Sequence, residues 1–109
     1  MNDTNYISSI VKIIENSKET IINDNISVTR FRVQIPQVRN NTIVNITLWG
    51  NLGKDIANYY QVNDYILIEG YLSVRNKKKE NFGIKNSKKV EITVLKVYPF
   101  LLNPNHNSS

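Results

Sequence analysis

The chain has 109 residues, a formal net charge of +5 and no cysteine. A chain of this length forms one small domain with a single core. The lack of cysteine excludes disulfides, thiolate catalysis and cysteine-based zinc sites, and the positive charge favours an anionic partner without identifying it.

No apolar run approaches the roughly 20 residues that a membrane-spanning helix needs. The N-terminal residues lack the layout of a secretion signal or a transit peptide. We therefore expect a protein that is not secreted and has no membrane partner. Asn, Ile and Lys are abundant, as is typical of an AT-rich organellar genome. We expect a plastid location if the gene is organellar and a cytoplasmic one otherwise.

The first half of the chain predicts three strands. Residues 6–14 are rich in β-branched side chains and favour a first strand. The polar residues 15–19 predict a turn or bulge, after which residues 20–22 can resume the pairing. Residues 26–35 alternate between apolar and polar positions, and Pro36 ends that second strand because proline cannot donate to a ladder.

The third predicted strand carries the only tryptophan of the chain. Within residues 43–49, Val44, Ile46 and Leu48 point one way, and Asn45, Thr47 and Trp49 point the other. A tryptophan on the polar face either closes a barrel end against a helix or offers its ring to a partner. The alternation alone leaves both alternatives open.

The second half predicts a short helix over residues 50–61, because its apolar side chains fall at helical spacing. A fourth strand follows at residues 65–75, with a bend or bulge at Gly70. A lysine-rich hairpin loop spans residues 76–89, and the last strand covers residues 90–97. We expect residues 98–102 to cap the domain.

Three strands, one helix and two further strands form the element order of an oligonucleotide/oligosaccharide-binding (OB) fold, an all-β, five-stranded Greek-key barrel. Another small β-barrel remains an alternative, and the helix between the third and fourth strands favours the OB fold. The prediction is one domain at residues 1–102 and a disordered tail at residues 103–109.

Part of this pattern resembles the bacterial and organellar single-stranded DNA-binding proteins. The shared string consists of residues 48–50 (Leu-Trp-Gly), Tyr59–Tyr60, residues 68–70 (Ile-Glu-Gly), Leu72 and Arg75. The same residues are also similar to the small single-stranded DNA-binding-like proteins that algal plastid genomes encode. It implies an OB fold and a non-catalytic protein that coats single-stranded DNA in replication or recombination. It further implies a homo-oligomer, a dimer or tetramer, and the apolar first strand favours self-association because such edges seldom stay bare.

The sequence departs from that family in three ways. The usual Gly-rich first strand and turn are replaced by residues 11–16 (Val-Lys-Ile-Ile-Glu-Asn). Family members present several base-stacking aromatics, whereas here only Trp49 has such a position, and Arg39, Ile43 and Lys77 stand at the others. The acidic C-terminal tip that recruits other enzymes is missing. The resemblance therefore supports nucleic-acid binding better than it supports the family's affinity or its recruitment of partners.

A face with cations and one flat ring suits a single strand, because phosphates bind Arg and Lys while a base stacks on the ring. RNA remains a variant of the same hypothesis. The lysine loop is expected to add phosphate contacts, since loops between the last two strands often complete OB sites. The predicted contact residues are Trp49, Arg30, Arg32, Asn45, Thr47, Tyr71, Arg75, Lys77, Lys78, Lys79 and Lys88.

Catalysis has little support. His106 is the lone histidine, so no histidine pair can bind a metal and no base stands beside a nucleophile. We expect no enzyme activity, no cofactor, no metal and no small-molecule substrate. The alternative function is an OB module that works through protein contacts, as a subunit of a replication or primosome-like assembly.

Overall fold

The structure, a computed structural model, describes residues 5–36, 40–77 and 87–104. Within these residues the chain forms six strands and one short helix. The strands are β1 (Asn5–Ile13), β2 (Lys18–Asn23), β3 (Ile26–Ile35), β4 (Thr42–Trp49), β5 (Tyr65–Lys77) and β6 (Ser87–Leu101), and α1 (Asn51–Tyr59) follows β4.

The strands form one sheet in the order β1-β5-β6-β4-β3-β2, and a further pairing between β1 and β3 closes it into a barrel. Lys12 and Ile13 of β1 make that closure opposite Gln34 and Val33. Strands β4 and β6 run parallel, whereas the other pairs are antiparallel. The OB fold is confirmed. Six strands replace the predicted five because the first one is divided into β1, which pairs with β5, and β2, which pairs with β3.

The inner faces of the strands build the barrel core, as the alternation predicts. Strands β3 and β4 pair with Phe31 opposite Ile46, and both side chains are buried. Val44 and Leu48 are buried beside Ile46, whereas Trp49 is exposed. The complete core cluster consists of Val11, Ile13, Phe31, Val33, Val44, Ile46, Leu48, Ile56, Ile66, Ile68, Ile92 and Val94.

Helix α1 lies between β4 and β5, as predicted, and is shorter than the predicted range. Gly50 precedes it with a φ of 63°, a conformation that suits glycine. Gly53 lets the helix approach β3, because a Cβ there would collide with the Thr29 side chain. Ile56 then packs into the core. With nine residues, α1 cannot cross a bilayer, and the described residues contain no helix that could.

The predicted bulge at Gly70 is confirmed by a shift of the β5–β6 register between Glu69 and Gly70. A Cβ at Gly70 would overlap the carbonyl oxygen of Thr93 and lie 2.9 Å from the Cα of Val94. Glycine is therefore required where β5 bends close to β6.

The C-terminal segment differs from the prediction. Residues 98–101 continue β6 and pair with β5, so the prediction of a cap over the domain is wrong. The backbone N–H of Asn103 donates to Asp64 Oδ1 at 2.7 Å, and its side chain donates to the carbonyl of Val62. Residues 105–109 lie outside the described residues, so the disordered tail stays a prediction.

Candidate nucleic-acid interface

A groove of about 410 Å³ lies on the outer face of the barrel, across three adjacent strands. Strand β4 forms its centre, β3 forms one side and β6 the other, following the strand order of the sheet. The residues that line the groove are Arg30 from β3, Asn45, Thr47 and Trp49 from β4, and Lys89, Glu91 and Thr93 from β6.

The pairing register brings these side chains to one face. Arg30 lies opposite Thr47 on β4, and Thr47 lies opposite Thr93 on β6. Asn45 lies opposite Glu91 in the same parallel pair. Residues opposite each other on neighbouring strands, about 4.8 Å apart, point to the same side of a sheet. The groove is therefore a row of polar side chains with a tryptophan at the end of β4.

Trp49 is 49% exposed and does not close the barrel end, because α1 packs there through Ile56. Its cross-strand neighbour is Val28. Val28 shares the outer face with Arg30 and is nevertheless completely buried, between Trp49 of β4 and Thr20 of β2 in the pairing register. The ring thus has one apolar neighbour on the sheet and half of its surface open to solvent, an arrangement that can stack a base.

The two arginines of β3 differ in their electrostatic surroundings. Arg30 is exposed in the groove, and the described residues form no salt bridge with it. Arg32 donates from its backbone N–H to Glu15 Oε2 at 2.7 Å, and from Nε and Nη2 to Oε1 at 3.2 and 3.1 Å. The side-chain hydrogen bonds from Arg32, and then its backbone bond, lower the pKa of Glu15. The charge of Arg32 is therefore balanced.

On the β6 side, Lys89 Nζ lies 3.6 Å from Glu91 Oε2. Among the described residues, the lining of the groove contains two cations and one carboxylate, and the carboxylate of Glu91 pairs with Lys89. A polyanion therefore gains more from Arg30 than from Lys89, whose charge Glu91 partly balances.

Tyr71 lies on the same outer face and does not line the groove. It sits on β5, opposite Thr93, one strand beyond the groove. Its ring meets the ring of Tyr6 edge to face, with centroids 5.4 Å apart. Tyr6 donates to Glu69 Oε1 at 3.0 Å, and this hydrogen bond raises the pKa of Tyr6.

The other predicted contact residues fall near the loop between β5 and β6. Arg75 and Lys77 are positions of β5, and Lys88 is a position of β6. Arg75 lies opposite Lys89 in the register, and Lys88 lies opposite Asn76. Lys78 and Lys79 lie outside the described residues.

Three groove residues were absent from the predicted set: Lys89, Glu91 and Thr93. The alternation of the last strand, with Val90, Ile92 and Val94 inward, already points them outward. What the prediction lacked was the position of that strand. It extended the binding face from the third predicted strand (β4) to side chains of the fourth (β5), whereas β6 lies between these two strands.

Several known proteins resemble this chain. Residues 5–100 match the sequence pattern of the Single-strand binding protein family. The candidate single-stranded DNA-binding protein ycf41 of Trieres chinensis is 40% identical over 103 residues, which cover 91% of this chain and 91% of that protein.

Solved structures share the fold at lower sequence identity. The mitochondrial single-stranded DNA-binding protein Rim1 of S. cerevisiae superposes with a TM-score of 0.75 at 10% identity, over 93% of this chain and 99% of that one. The SSB domain of a Synechococcus sp. protein gives a TM-score of 0.68 at 21% identity, over 90% and 94%. The pattern match over nearly the whole barrel and the similarity to ycf41 establish that the chain belongs to the single-strand binding protein family.

Proposed function

We propose that this protein binds single-stranded DNA by stacking a base on Trp49 and neutralising phosphates with arginine and lysine, without catalysis. The observation that carries the proposal is the half-exposed indole of Trp49 in a groove that also holds Arg30 and Lys89. Base stacking on an aromatic side chain contributes about 1–3 kcal/mol per base and tolerates any base. Membership of the single-strand binding protein family supports the same function.

The groove suggests how a strand is held. A base lies against the open side of Trp49, and Arg30 binds a phosphate on the β3 side. Lys89 adds a weaker phosphate contact on the β6 side, because the carboxylate of Glu91 lies 3.6 Å from its ammonium group. Asn45 and Thr47 offer hydrogen bonds to sugars, phosphates or base edges between these contacts.

The remaining predicted residues extend this interface as proposals. Tyr71 continues the outer face beyond the groove. Arg75, Lys77, Lys78, Lys79 and Lys88 contribute phosphate contacts near the β5–β6 loop, which is a common ligand-binding loop of OB folds. Arg32 contributes less than Arg30, since Glu15 occupies it.

The protein is further proposed to form a homo-oligomer. One edge of β1 pairs with β5, and the other edge pairs with β3 only through Lys12 and Ile13. Among the described residues, no strand covers the rest of this second edge of β1. On the outer face, Ile10, Leu67 and Tyr98 form one row across β1, β5 and β6, and Tyr98 is exposed. Unpaired edges and apolar rows favour association.

Light scattering after gel filtration tests this proposal against a chain mass of 12.6 kDa. A multiple of that mass is expected, and Tyr98→Glu should reduce it because it places a charge in the apolar row. Tyr59→Glu, on the exposed end of α1, is the matched control. A monomer at every concentration would refute the homo-oligomer.

The protein is proposed to act in DNA replication or recombination, in the plastid. The abundance of Asn, Ile and Lys fits an AT-rich organellar gene. The ycf designation of the Trieres chinensis relative suggests a plastid-encoded protein.

Tryptophan fluorescence tests the binding function directly, because Trp49 is the only tryptophan. Titration with oligo-dT should quench the emission, and salt should weaken the binding. A gel shift on the same samples measures binding independently of the ring. Trp49→Leu should weaken binding in the gel, whereas Tyr59→Leu, an exposed aromatic outside the groove, should not. If both assays show no binding, the function is wrong and the barrel acts through protein contacts.

A further inference from the structure

Strand β2 carries a cation that extends the binding face beyond the β3 side of the groove. Lys18, the first residue of β2, lies directly opposite Arg30 in the antiparallel pair of β2 and β3. Residues opposite each other on neighbouring strands point to the same side of a sheet, so Lys18 shares the outer face with Arg30. Lys18 is exposed and lies just outside the lining of the groove. The outer face therefore continues from the groove to β2, the last strand in the order of the sheet.

The register makes this cation part of one row across four strands. Thr47 lies opposite Arg30 on β4, and Thr93 lies opposite Thr47 on β6. The row therefore consists of Lys18, Arg30, Thr47 and Thr93. Its two hydroxyl groups can donate to phosphate oxygens, and its two cations lie together at one end. A chain of phosphates that follows this row crosses the strands and leaves the sheet over β2.

The two cations are an unfavourable pair in the free protein. Like charges at directly opposite positions destabilise a strand pair. Among the described residues, neither Lys18 nor Arg30 forms a salt bridge. Glu19, the next residue of β2, lies opposite the buried Thr29 and so points to the other face of the sheet. The positive charge at this end of the row is thus available to an anion.

Glu15 balances only part of this charge. Its carboxylate accepts three hydrogen bonds from Arg32, two residues after Arg30 on β3. Hydrogen bonds from the side chain and then the backbone of Arg32 lower the pKa of Glu15, and the charges of Arg32 and Lys18 lower it further. Three cations therefore surround one carboxylate, which is engaged by Arg32, and the group keeps a net positive charge.

We infer that Lys18 binds a phosphate of the bound strand, next to the phosphate on Arg30, and that the strand leaves the groove across β3 and β2. This inference rests on the proposed single-strand binding and adds a contact and a direction to it. Bound phosphates place negative charge over both cations and offset the repulsion between them. Trp49 lies two residues beyond Thr47, about 7 Å along β4. A base can therefore stack on Trp49 while the phosphates follow the row.

The test is an oligo-dT titration of Lys18→Gln, followed by gel shift and by quenching of Trp49 at several salt concentrations. Loss of one phosphate contact should lower the slope of log affinity against log salt by about 0.7. It should weaken binding by roughly twofold to fivefold, the range for an exposed ion pair. In combination with Arg30→Gln, the slope loss should double to about 1.4, because the two cations bind different phosphates.

Two variants control for the charge itself. Lys18→Arg keeps the positive charge and should keep the slope. Lys54→Gln makes the same change as Lys18→Gln at an exposed position of α1 outside the groove, and it should leave the slope unchanged.

Two further measurements separate a phosphate contact from a structural role. At low salt, Lys18→Gln should unfold at a slightly higher denaturant concentration than the unmodified chain, because it removes a like charge opposite Arg30. In a chain that already carries Glu15→Gln, Lys18→Gln should cause the same loss of slope, because its phosphate contact does not act through the pair of Glu15 with Arg32.

The outcomes distinguish this contact from the binding function. An unchanged slope for Lys18→Gln, an equal loss for Lys54→Gln, or a loss that disappears with Glu15→Gln overturns the inference while the binding function stands. Unfolding of Lys18→Gln at a lower denaturant concentration also overturns it, because Lys18 would then support the fold. Failure of the unmodified chain to bind oligo-dT overturns both.

Discussion

The two arginines of β3 should contribute unequally to DNA binding, although they stand two residues apart on the same face. Arg30 lines the groove, whereas Arg32 already makes three hydrogen bonds with Glu15. A phosphate that binds Arg32 must displace Glu15 or lie beside its negative charge. We therefore expect Arg30→Gln to weaken binding and Arg32→Gln to have little effect.

The salt dependence gives the magnitude. Each phosphate neutralised on a single strand adds about 0.7 to the slope of log affinity against log salt. Loss of the Arg30 contact should reduce the slope by that amount. When the salt concentration rises fourfold, the affinity of Arg30→Gln should therefore fall by a factor about 2.6 times smaller than the affinity of the unmodified chain does. The loss of affinity itself should be about 1 kcal/mol, or roughly fivefold, the upper end for an exposed ion pair. Arg32 exchanges one exposed pair for another, so its net contribution should be close to zero.

The assay is the oligo-dT titration followed at four or more salt concentrations, with the slope as its readout. Glu15→Gln completes the comparison because it keeps the shape of the side chain and releases Arg32. This variant should bind more tightly and gain up to about 0.7 in slope. Combining it with Arg32→Gln should abolish that gain.

Two results would refute this reasoning. One is a slope loss for Arg32→Gln as large as that for Arg30→Gln. The other is a Glu15→Gln variant with unchanged affinity and slope. Either result would mean that the bound DNA strand displaces Glu15 without loss of binding free energy, and that the ion pair does not restrain Arg32.

Three further predictions concern stability, measured by chemical denaturation at fixed protein concentration. Gly70→Ala should lower the free energy of unfolding by about 3 kcal/mol, because the new Cβ overlaps the carbonyl of Thr93; no loss would show that β5 and β6 can separate there. Asp64→Asn should lower the free energy of unfolding by about 1–3 kcal/mol. The two carboxylate oxygens accept from the backbone N–H groups of Gln61 and Asn103, and an amide N–H₂ in place of one oxygen cannot accept. An unchanged value would show that the buried carboxylate is replaceable. Hydrogen bonds from Arg32 lower the pKa of Glu15 from its ordinary value of 4.5. The ionised carboxylate therefore stabilises the fold at pH values above 4.5, and this stabilisation is lost as the pH falls through the lowered pKa. The difference in unfolding free energy between the unmodified chain and Glu15→Gln, present at neutral pH, should vanish in acid.

Local pattern was sufficient to predict the faces of the central strands. Trp49 and Leu48 were assigned to opposite faces from alternation alone, and their exposures differ accordingly, 49% and 0%. The pattern is reliable there because β4 is apolar on one side and polar on the other, so a slip of one residue would reverse the burial of every side chain. The bulge at Gly70 was predictable for a similar reason, since a glycine inside a strand leaves room for a close backbone.

Contacts between distant segments were not predictable in this way. The pairing of Glu15 with Arg32 depends on the path of the chain between β1 and β2, and no local pattern encodes it. The β6 side of the groove depends on the parallel pairing of β4 with β6, which brings Asn45 opposite Glu91. Alternation tells which way a side chain points and is silent about which strand lies next to it.

Trp49 is not part of the barrel core, so the fold does not depend on its indole. Helix α1 supplies Ile56 to the barrel end, and Leu48 supplies the core side of β4, so the core does not need the indole. Val28, buried opposite Trp49, gives the ring a firm neighbour on the outer face. Under the proposed function, a ring with a buried neighbour would lose little freedom when a base stacks on it, and binding would cost less ordering entropy. The same strand would then contribute to the barrel core through one face and offer the indole to a base on the other.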